Sequence, residues 1–227
     1  MLPGMSRAVI FDLDGVLIDS FHAHYESWQE VAAGHGVVLT EQEFARTFGR
    51  TSREIITSSW AVPDLSDARV REIDDRKEAR YREIIAHHLP VMDGARELID
   101  ALRAAGFRVA VGSSAPPENV RLAIDGIGRH LFDAAVHGRD VHRGKPDPEV
   151  FLLAAARAGV SAECCVVIED AVPGIEAARR AGMASVALVS TGRTEEELRL
   201  ARPSLVAHSL RELTPEGLSA LLDRAPA

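Results

Sequence analysis

The sequence lacks the features that mark secreted, membrane-spanning and nucleic-acid-binding proteins. Its 227 residues include no apolar run that approaches the length of a membrane span, and residues 1–6 lack the long apolar region of a secretory signal. No basic stretch carries interleaved aromatic residues, and the formal net charge of -8 argues against nonspecific binding to nucleic acid. We therefore expect a cytoplasmic protein that binds neither a membrane nor nucleic acid, and we expect it to be a monomer.

Cysteine and lysine are both scarce. Cys164 and Cys165 are the only cysteines, and neighbouring side chains on a strand point to opposite faces, which argues against a disulfide or a zinc site. We expect two buried thiols. Of the 26 basic residues, only Lys77 and Lys145 are lysines. A compact ammonium at these two positions suggests a role that a planar guanidinium does not fill, and the alternative is two ordinary surface lysines.

The rest of the composition is that of a globular protein, with 46% apolar and 26% charged residues. From residue 91 onward, short apolar runs alternate with helical patterns, and several of those helical patterns end at a glycine. This alternation predicts an α/β fold with a doubly wound, mostly parallel sheet, in which ligands bind beyond the carboxyl ends of the strands. The predicted strands are 8–11, 107–112, 134–136, 164–168, 184–189 and 205–207.

The region between the first predicted strand and residue 91 contains helical patterns but no convincing strand. Ser20 is placed to cap a first helix that runs to about residue 34. Thr40 and Glu43 have the spacing of a capping box, which predicts the start of a second helix. Two further helices are predicted, one from residue 52 and one over 67–88. The chain is therefore predicted to contain a Rossmann-like core, residues 1–18 and 91–227, and an inserted all-helical domain, residues 19–90.

Two aspartates follow the first predicted strand directly. The apolar run over 8–11 stops at Asp12, and Asp14 follows after one residue, so both side chains would point the same way if the backbone stayed extended. Gly15 then allows the chain to turn. Two carboxylates so close together repel each other unless a cation lies between them or one of them is protonated. The alternative is a strand that simply ends in a solvated polar loop.

Two clusters suited to binding phosphate follow later strands. Ser113 and Ser114 offer hydroxyl groups and backbone amides just before a predicted helix, which is a natural cradle for phosphate oxygens, although a capping serine is the alternative. Lys145 projects a single ammonium from a loop that two prolines stiffen. Lysine neutralises a phosphate as a point charge, so Lys145 is a candidate phosphate ligand.

A second acidic pair, Glu169 and Asp170, follows the predicted strand over 164–168. The carboxyl ends of parallel strands meet at one edge of a sheet, so this pair is expected near Asp12 and Asp14. Four like charges in one place are difficult to explain structurally. A magnesium ion resolves the repulsion, because it takes oxygen ligands and needs only one or two carboxylates together with a substrate phosphate.

In this order, the four clusters resemble the four motifs of the haloacid dehalogenase superfamily, specifically its phosphatases and phosphomutases with a helical cap inserted after the first motif. The segments that match are 12–16, Ser113, 145–146 and 169–170, and the resemblance covers essentially the full length. Spacing alone does not say which aspartate attacks. The resemblance implies that Asp12 attacks phosphorus to form an aspartyl-phosphate and that Asp14 is the general acid and base.

The same resemblance implies a ligand set for magnesium and for the phosphate. Magnesium is expected to bind Asp12, the main-chain carbonyl of Asp14, and Asp170, with Glu169 as an outer or alternating ligand. The phosphate is expected to contact Ser113, Ser114, Lys145 and nearby backbone amides.

Within the superfamily, the chain is similar to the β-phosphoglucomutase branch and its sugar-phosphatase relatives. His24, Trp28, Gly49, Arg53 and Lys77 match cap positions that in that branch contact substrate or help to gate the general acid. These positions therefore become candidate substrate-binding residues. The alternative for each is a solvated helix face or, for Trp28, the core of the helical domain.

One departure from the mutase pattern bears on activity. The residues after Ser113 include Ala115, Pro116 and Pro117, where the mutases have polar residues that help to hold the second phosphate of a sugar bisphosphate. We therefore predict a magnesium-dependent phosphatase that acts on a small phosphorylated metabolite, with a β-phosphoglucomutase-type mutase as the alternative.

Two other activities and one non-catalytic role are the remaining alternatives. Carbon–halogen hydrolysis is disfavoured because the sites of family members that remove halide lack the second acid, which this chain has as Asp14. Phosphonate hydrolysis is disfavoured because Arg53 stands in the region where those enzymes have a lysine, and arginine forms no imine. A non-catalytic binding protein of the same fold is the third possibility.

Overall fold

The computed structural model describes residues 6–48, 52–60 and 65–223, and the chain divides into two compact units. The sheet unit comprises Met1–Asp19 and Val91–Ala227, and the helical unit comprises Ser20–Pro90. The boundaries predicted from the sequence fall after residues 18 and 90, and the assignment of the two units as a catalytic core and a cap stays a prediction. Within the described residues, none of the helices combines the length and apolar character needed to cross a lipid bilayer.

The sheet unit contains six parallel strands in the order β3-β2-β1-β4-β5-β6. They are β1 (Ala8–Phe11), β2 (Arg108–Gly112), β3 (Ala134–Val136), β4 (Cys165–Glu169), β5 (Ala184–Leu188) and β6 (Leu205–Ala207). This arrangement confirms the predicted doubly wound α/β fold. The strand order reverses beside β1, which pairs with β2 on one side and with β4 on the other, so ligands are expected at the carboxyl end of β1.

The helical unit contains α1 (Phe21–Ala33), α2 (Glu41–Thr47), α3 (Ser52–Ser59) and α4 (Asp67–His87). The capping box at Thr40 and Glu43 is confirmed, because each side chain accepts the backbone N–H of the other residue. The capping role predicted for Ser20 is wrong, since its side chain makes no capping hydrogen bond and its backbone is already helical. The core of this unit is apolar and includes Trp28, Phe44 and Ile56.

Among its described residues, the sheet unit also contains the α-helices α5 (Ala95–Ala104), α6 (Pro117–Ile127), α7 (Glu149–Ala158), α8 (Val172–Arg180), α9 (Glu195–Arg199) and α10 (Pro215–Leu222). One face of the sheet packs against α7 and α8 through a buried cluster that includes Ile10, Phe151 and Val167. Helices therefore cover the strands and leave the strand ends as the place where polar side chains collect.

Both cysteines carry free thiols, but only one is fully buried. Cys165 begins β4, and burial raises the pKa of its thiol to about 12. Cys164 lies one residue before the strand, at the end of a short 3-10 helix, and is half-buried. The prediction of two buried thiols is therefore wrong for Cys164, because the strand starts one residue later than its apolar pattern suggests.

The chain leaves and re-enters the sheet unit at neighbouring points. Ile18 forms an isolated antiparallel bridge with Val91, and the Met92 N–H donates a 2.8 Å hydrogen bond to the Leu17 carbonyl. The two connections to the helical unit are thus paired to each other through the backbone.

Candidate active site

Three acidic side chains meet where β1 and β4 end side by side. Asp12 follows β1, and its N–H donates a 2.9 Å hydrogen bond to the carbonyl of Ile168 in β4. Glu169 is the last residue of β4, and Asp170 follows it. One carboxylate oxygen from each of Asp12, Glu169 and Asp170 lies within 4.8 Å of the other two, and all three side chains are buried. We call this group the acid cluster.

The fourth predicted acid, Asp14, does not place its carboxylate in the acid cluster. The chain leaves the extended conformation after Phe11, and the Leu13 carbonyl accepts the N–H groups of three residues that follow it. Gly15 lies within this turn, with φ of 79°. Four acidic side chains were expected to converge, but only three do, because the strand does not continue past Phe11 to carry Asp14 in the same direction as Asp12. The charge of Asp14 is still close enough to contribute to the raised pKa of Asp12.

Lys145 lies inside the acid cluster. Its ammonium donates to Asp12 Oδ1 at 2.7 Å and to Glu169 Oε1 at 2.8 Å, and it lies 4.8 Å from the centroid of the Phe151 ring. The side chain is only 10% exposed, which rules out an ordinary surface lysine. The predicted contact between Lys145 and phosphate remains a prediction.

The acid cluster carries more negative charge than Lys145 balances. Burial raises the pKa of Asp12 to about 7, although the charge of Lys145 acts in the opposite direction. Burial and the neighbouring charges of Glu169 and Asp12 also raise the pKa of Asp170. Burial alone would lower the pKa of Lys145, but the charges of Asp12 and Glu169 raise it above its ordinary value. Buried oxygen donors with surplus negative charge fit a hard divalent cation such as Mg²⁺.

Hydrogen bonds determine which oxygens of the acid cluster remain for a cation. Both oxygens of Glu169 accept hydrogen bonds, one from Lys145 at 2.8 Å and one from the Ala171 N–H at 2.6 Å. Asp12 is bonded through Oδ1, and Asp170 accepts from the hydroxyl of Thr191 through Oδ2. Within the described residues, Asp12 Oδ2 and Asp170 Oδ1 are therefore the oxygens left for a metal.

The two predicted phosphate-binding serines follow β2, the neighbour of β1, and so lie at the same edge of the sheet. Ser113 is buried; its N–H donates to the Val136 carbonyl at 3.0 Å, and its Oγ accepts the Ala115 N–H at 3.0 Å. The capping alternative is wrong, because the N-cap residue of α6 is Pro116 and no side chain caps the helix; the Ser113 oxygen instead stabilises the turn before α6. These bonds leave its hydroxyl hydrogen to donate to a ligand. Ser114 is exposed.

In the helical unit, His24 and Lys77 lie together. The buried Lys77 ammonium donates to His24 Nδ1 at 2.8 Å and to Glu78 Oε1 at 2.6 Å, and the His24 ring stacks on Tyr81 with centroids 3.9 Å apart. Neither residue is on a solvated helix face. Because the ammonium donates to Nδ1, the neutral His24 ring carries its hydrogen on Nε2.

The other helical-unit candidates differ from this pair. The Arg53 guanidinium bonds the Asp67 carboxylate and lies 3.5 Å from the Leu65 carbonyl. Trp28 is in the core of the helical unit, as its alternative interpretation proposed. Gly49 lies outside the described residues.

Sequence reasoning missed two residues at the strand-end edge. Ser190 and Thr191 follow β5, the strand next to β4. The Ser190 hydroxyl donates to the Gly15 carbonyl at 2.5 Å, and the Thr191 hydroxyl donates to Asp170. The rule that polar residues after parallel strands converge, applied to β5 as it was to the other strands, would have included them.

Gly174 packs directly against the Glu169 side chain of the acid cluster. A β-carbon at this position would overlap the Glu169 carboxylate. We therefore expect Gly174→Ala to lower the free energy of unfolding by about 1–3 kcal/mol and to reduce turnover at least about tenfold, because Glu169 has to move away from Lys145. Urea denaturation and phosphate-release assays measure the two effects.

Gly144→Ala is the matched control for this substitution. Gly144 precedes Lys145, and a β-carbon there would meet no atom within 4 Å. The control is expected to keep wild-type stability. If Gly174→Ala behaves like the control, the close approach of Gly174 to Glu169 has no functional importance.

Buried acids and a nearly buried lysine at the switch point of a doubly wound sheet are typical of a catalytic site and make this the candidate active site. A family model described as haloacid dehalogenase-like hydrolase matches residues 6–182. The chain belongs to this family, which confirms the resemblance drawn from its motifs.

Two curated relatives and one solved structure illustrate the similarity. The chain is 32% identical over 184 residues to the phosphorylated carbohydrates phosphatase of Thermotoga maritima, covering 78% of this chain and 82% of the relative. It is 33% identical over 189 residues to the β-phosphoglucomutase of Bacillus subtilis, covering 79% and 82%. A family IA, variant 3 hydrolase from Entamoeba histolytica superposes with a TM-score of 0.86 at 28% identity, covering 96% and 100%. The chain is thus an enzyme of the phosphatase or phosphomutase type within its family.

Proposed function

We propose that this enzyme is a Mg²⁺-dependent phosphatase that hydrolyses a small phosphate monoester, with sugar phosphates as the substrate class. The acid cluster carries the proposal, because three buried carboxylates and one ammonium leave negative charge for a divalent cation to balance. The relative named for its action on phosphorylated carbohydrates supports the substrate class.

Asp12 and Asp170 are the proposed side-chain ligands of the metal, together with the main-chain carbonyl of Asp14. Glu169 is proposed to act from outside the coordination sphere, because Lys145 and the Ala171 N–H occupy both of its oxygens. When bound, Mg²⁺ supplies positive charge that offsets the charge of the substrate phosphate next to the carboxylates.

The reaction is proposed to begin with attack by an Asp12 carboxylate oxygen on phosphorus. A bond forms between that oxygen and phosphorus, the bond from phosphorus to the leaving oxygen breaks, and Asp14 donates a proton to the leaving oxygen. Asp14 then removes a proton from water, which attacks phosphorus and releases inorganic phosphate and the free Asp12 carboxylate. Lys145 supports the first step, because its charge and hydrogen bond lower the pKa of Asp12 and hold its Oδ1 in place.

Phosphatase activity is favoured over mutase activity by two observations. Ala115, Pro116 and Pro117 offer no side-chain donor after Ser113 for a second phosphate. In the helical unit, the Arg53 guanidinium is already paired with the Asp67 carboxylate and not left to bind a second phosphate. The β-phosphoglucomutase of Bacillus subtilis is of similar identity, so the mutase is kept as the second candidate.

The remaining expectations belong to the same proposal. The helical unit is proposed to act as a cap that excludes water during the reaction, with His24 and Lys77 as its substrate-facing candidates. Ser113, Ser114 and Lys145 are proposed to bind the phosphate. A cytoplasmic monomer is the proposed state of the enzyme.

A panel of phosphorylated metabolites tests the proposal, assayed with and without Mg²⁺ for release of inorganic phosphate. It includes β-glucose 1-phosphate with and without glucose 1,6-bisphosphate. We expect Mg²⁺-dependent release from at least one sugar phosphate. Isomerisation of β-glucose 1-phosphate without phosphate release would establish the mutase instead, and undiminished turnover in excess chelator would refute the metal requirement.

A further inference from the structure

We propose that Thr191 is a positioning residue that orients the Asp170 carboxylate toward the bound cation, and that Ser190 fixes the loop that carries it. This inference rests on the metal site of the proposed function. We call the two residues the β5 loop pair.

The first observation is the bond between Thr191 and Asp170. The Thr191 hydroxyl donates to Oδ2 of a carboxylate that is only 5% exposed and lies beside two other acids. Asp170 makes no other hydrogen bond through its side chain within the described residues. Loss of this donor would leave the carboxylate free to rotate away from its acidic neighbours.

The second observation is that the loop is anchored independently of Asp170. The Ser190 hydroxyl donates to the main-chain carbonyl of Gly15 at 2.5 Å. Gly15 lies in the turn that follows β1 and Asp12, so this bond ties the loop after β5 to the segment after β1. The position of the Thr191 hydroxyl is therefore set relative to Asp12 as well as to Asp170.

The third observation is steric. A β-carbon on Gly15 would collide with the Asp170 carboxylate and with the methyl group of Thr191. Both branches of the threonine side chain thus have a contact: the hydroxyl donates to Asp170, and the methyl group packs against the backbone of Gly15. Because Oδ2 of Asp170 is held in this way, Oδ1 is the oxygen presented to a cation.

Threonine variants separate the hydrogen bond from the packing. Thr191→Val keeps the shape and removes the donor, whereas Thr191→Ser keeps the donor and removes the methyl group. Groups that orient a metal ligand typically change metal affinity by about 10- to 100-fold. We expect Thr191→Val to weaken Mn²⁺ binding by about that factor and Thr191→Ser to stay within about threefold of wild type.

Isothermal titration of the substrate-free enzyme with Mn²⁺ measures this affinity directly, with Asp170→Asn as the variant expected to lose most binding. In the phosphatase assay, the Mg²⁺ concentration for half-maximal turnover should rise in Thr191→Val by the same factor, while kcat at saturating Mg²⁺ falls by less. A purely structural role would lower the melting temperature of the metal-free protein without this separation of metal affinity from kcat.

The outcomes distinguish this role from the proposed function. Equal Mn²⁺ affinity in wild type and Thr191→Val overturns the positioning role alone. Weaker binding in Thr191→Val, in an enzyme that releases no phosphate from any substrate, supports the positioning role and refutes the phosphatase. A wild-type protein that binds neither Mn²⁺ nor Mg²⁺ overturns both. If Thr191→Val does not fold, Thr191→Ala compared with Thr191→Ser tests the same donor.

Discussion

Asp12→Asn is expected to abolish phosphate release while the protein stays folded. The amide is a far poorer nucleophile than the carboxylate and replaces one of the two carboxylate oxygens left for the metal, so turnover should fall by at least about 10⁴-fold. The substitution also removes a charge whose burial is unfavourable, as the raised pKa of Asp12 shows. Stability should therefore change little. Phosphate-release kinetics and circular dichroism melting curves measure the two properties.

Asp133→Asn is the matched control. Asp133 precedes β3, so it lies at the opposite edge of the sheet, and its carboxylate pairs with Arg103 and Arg108. Loss of these pairs is expected to lower stability without a large change in turnover.

A labelling experiment tests Asp12 directly. After incubation with ³²P-labelled substrate and acid quenching, wild-type protein should carry the label and Asp12→Asn should not. Turnover of Asp12→Asn at more than a few per cent of wild type would exclude Asp12 as the nucleophile.

Lys145→Met is expected to have the second-largest effect. Removal of the ammonium leaves Asp12 and Glu169 buried without their shared donor, and breaking a buried ion pair from one side typically costs about 3–5 kcal/mol. We expect a loss of stability of that size, a higher pKa for Asp12, and a fall in turnover of about 10³-fold. Urea denaturation and steady-state kinetics at saturating Mg²⁺ measure these changes.

Mn²⁺ affinity distinguishes the specific loss of the ammonium in Lys145→Met from a general loss of structure at the site. The ammonium repels a cation, so its removal should leave Mn²⁺ affinity unchanged or higher, in contrast to Thr191→Val. Lys145→Arg is the second control: it keeps the charge, but the larger planar guanidinium does not match a position packed against Phe151. Full activity in Lys145→Arg, or loss of Mn²⁺ binding in Lys145→Met, would contradict the role given to this lysine.

The fold and much of the acid cluster were predictable because they follow from patterns that burial imposes. Strands such as β1 and β4 are buried on both faces, so they read as short apolar runs. Polar residues directly after those runs mark the strand ends, and parallel pairing brings the ends of neighbouring strands together. Asp12, Glu169 and Asp170 were found in this way.

The parts that failed depend on local backbone geometry. The end of β1 at Phe11 was predicted, but the sequence does not show the backbone path that follows, so the position of the Asp14 carboxylate outside the acid cluster was not foreseen. Likewise, spacing does not show that Lys145 reaches between Asp12 and Glu169, because that contact depends on the path of a loop across the sheet edge. The late start of β4 at Cys165 has the same origin.

Lys77 shows that a further signal was present in the sequence. Its position in α4 falls four residues after Ile73 and four before Tyr81, in the middle of the buried stripe of an otherwise highly charged helix. A lysine within such a stripe is buried unless the stripe ends there. Helical periodicity could have predicted its burial, which was not foreseen, but the bond to His24 required the three-dimensional structure.

The backbone pairing of residues 17–18 with residues 91–92 has a consequence for how enzymes of this kind diversify. The whole segment between them begins and ends at paired backbone positions, and the entropic cost of closing a loop there grows only slowly with its length. Domains of different size or sequence can therefore be exchanged at this point of the chain without altering the register of any strand. Under the proposed function, the helical unit can therefore change its substrate contacts while the acid cluster stays the same.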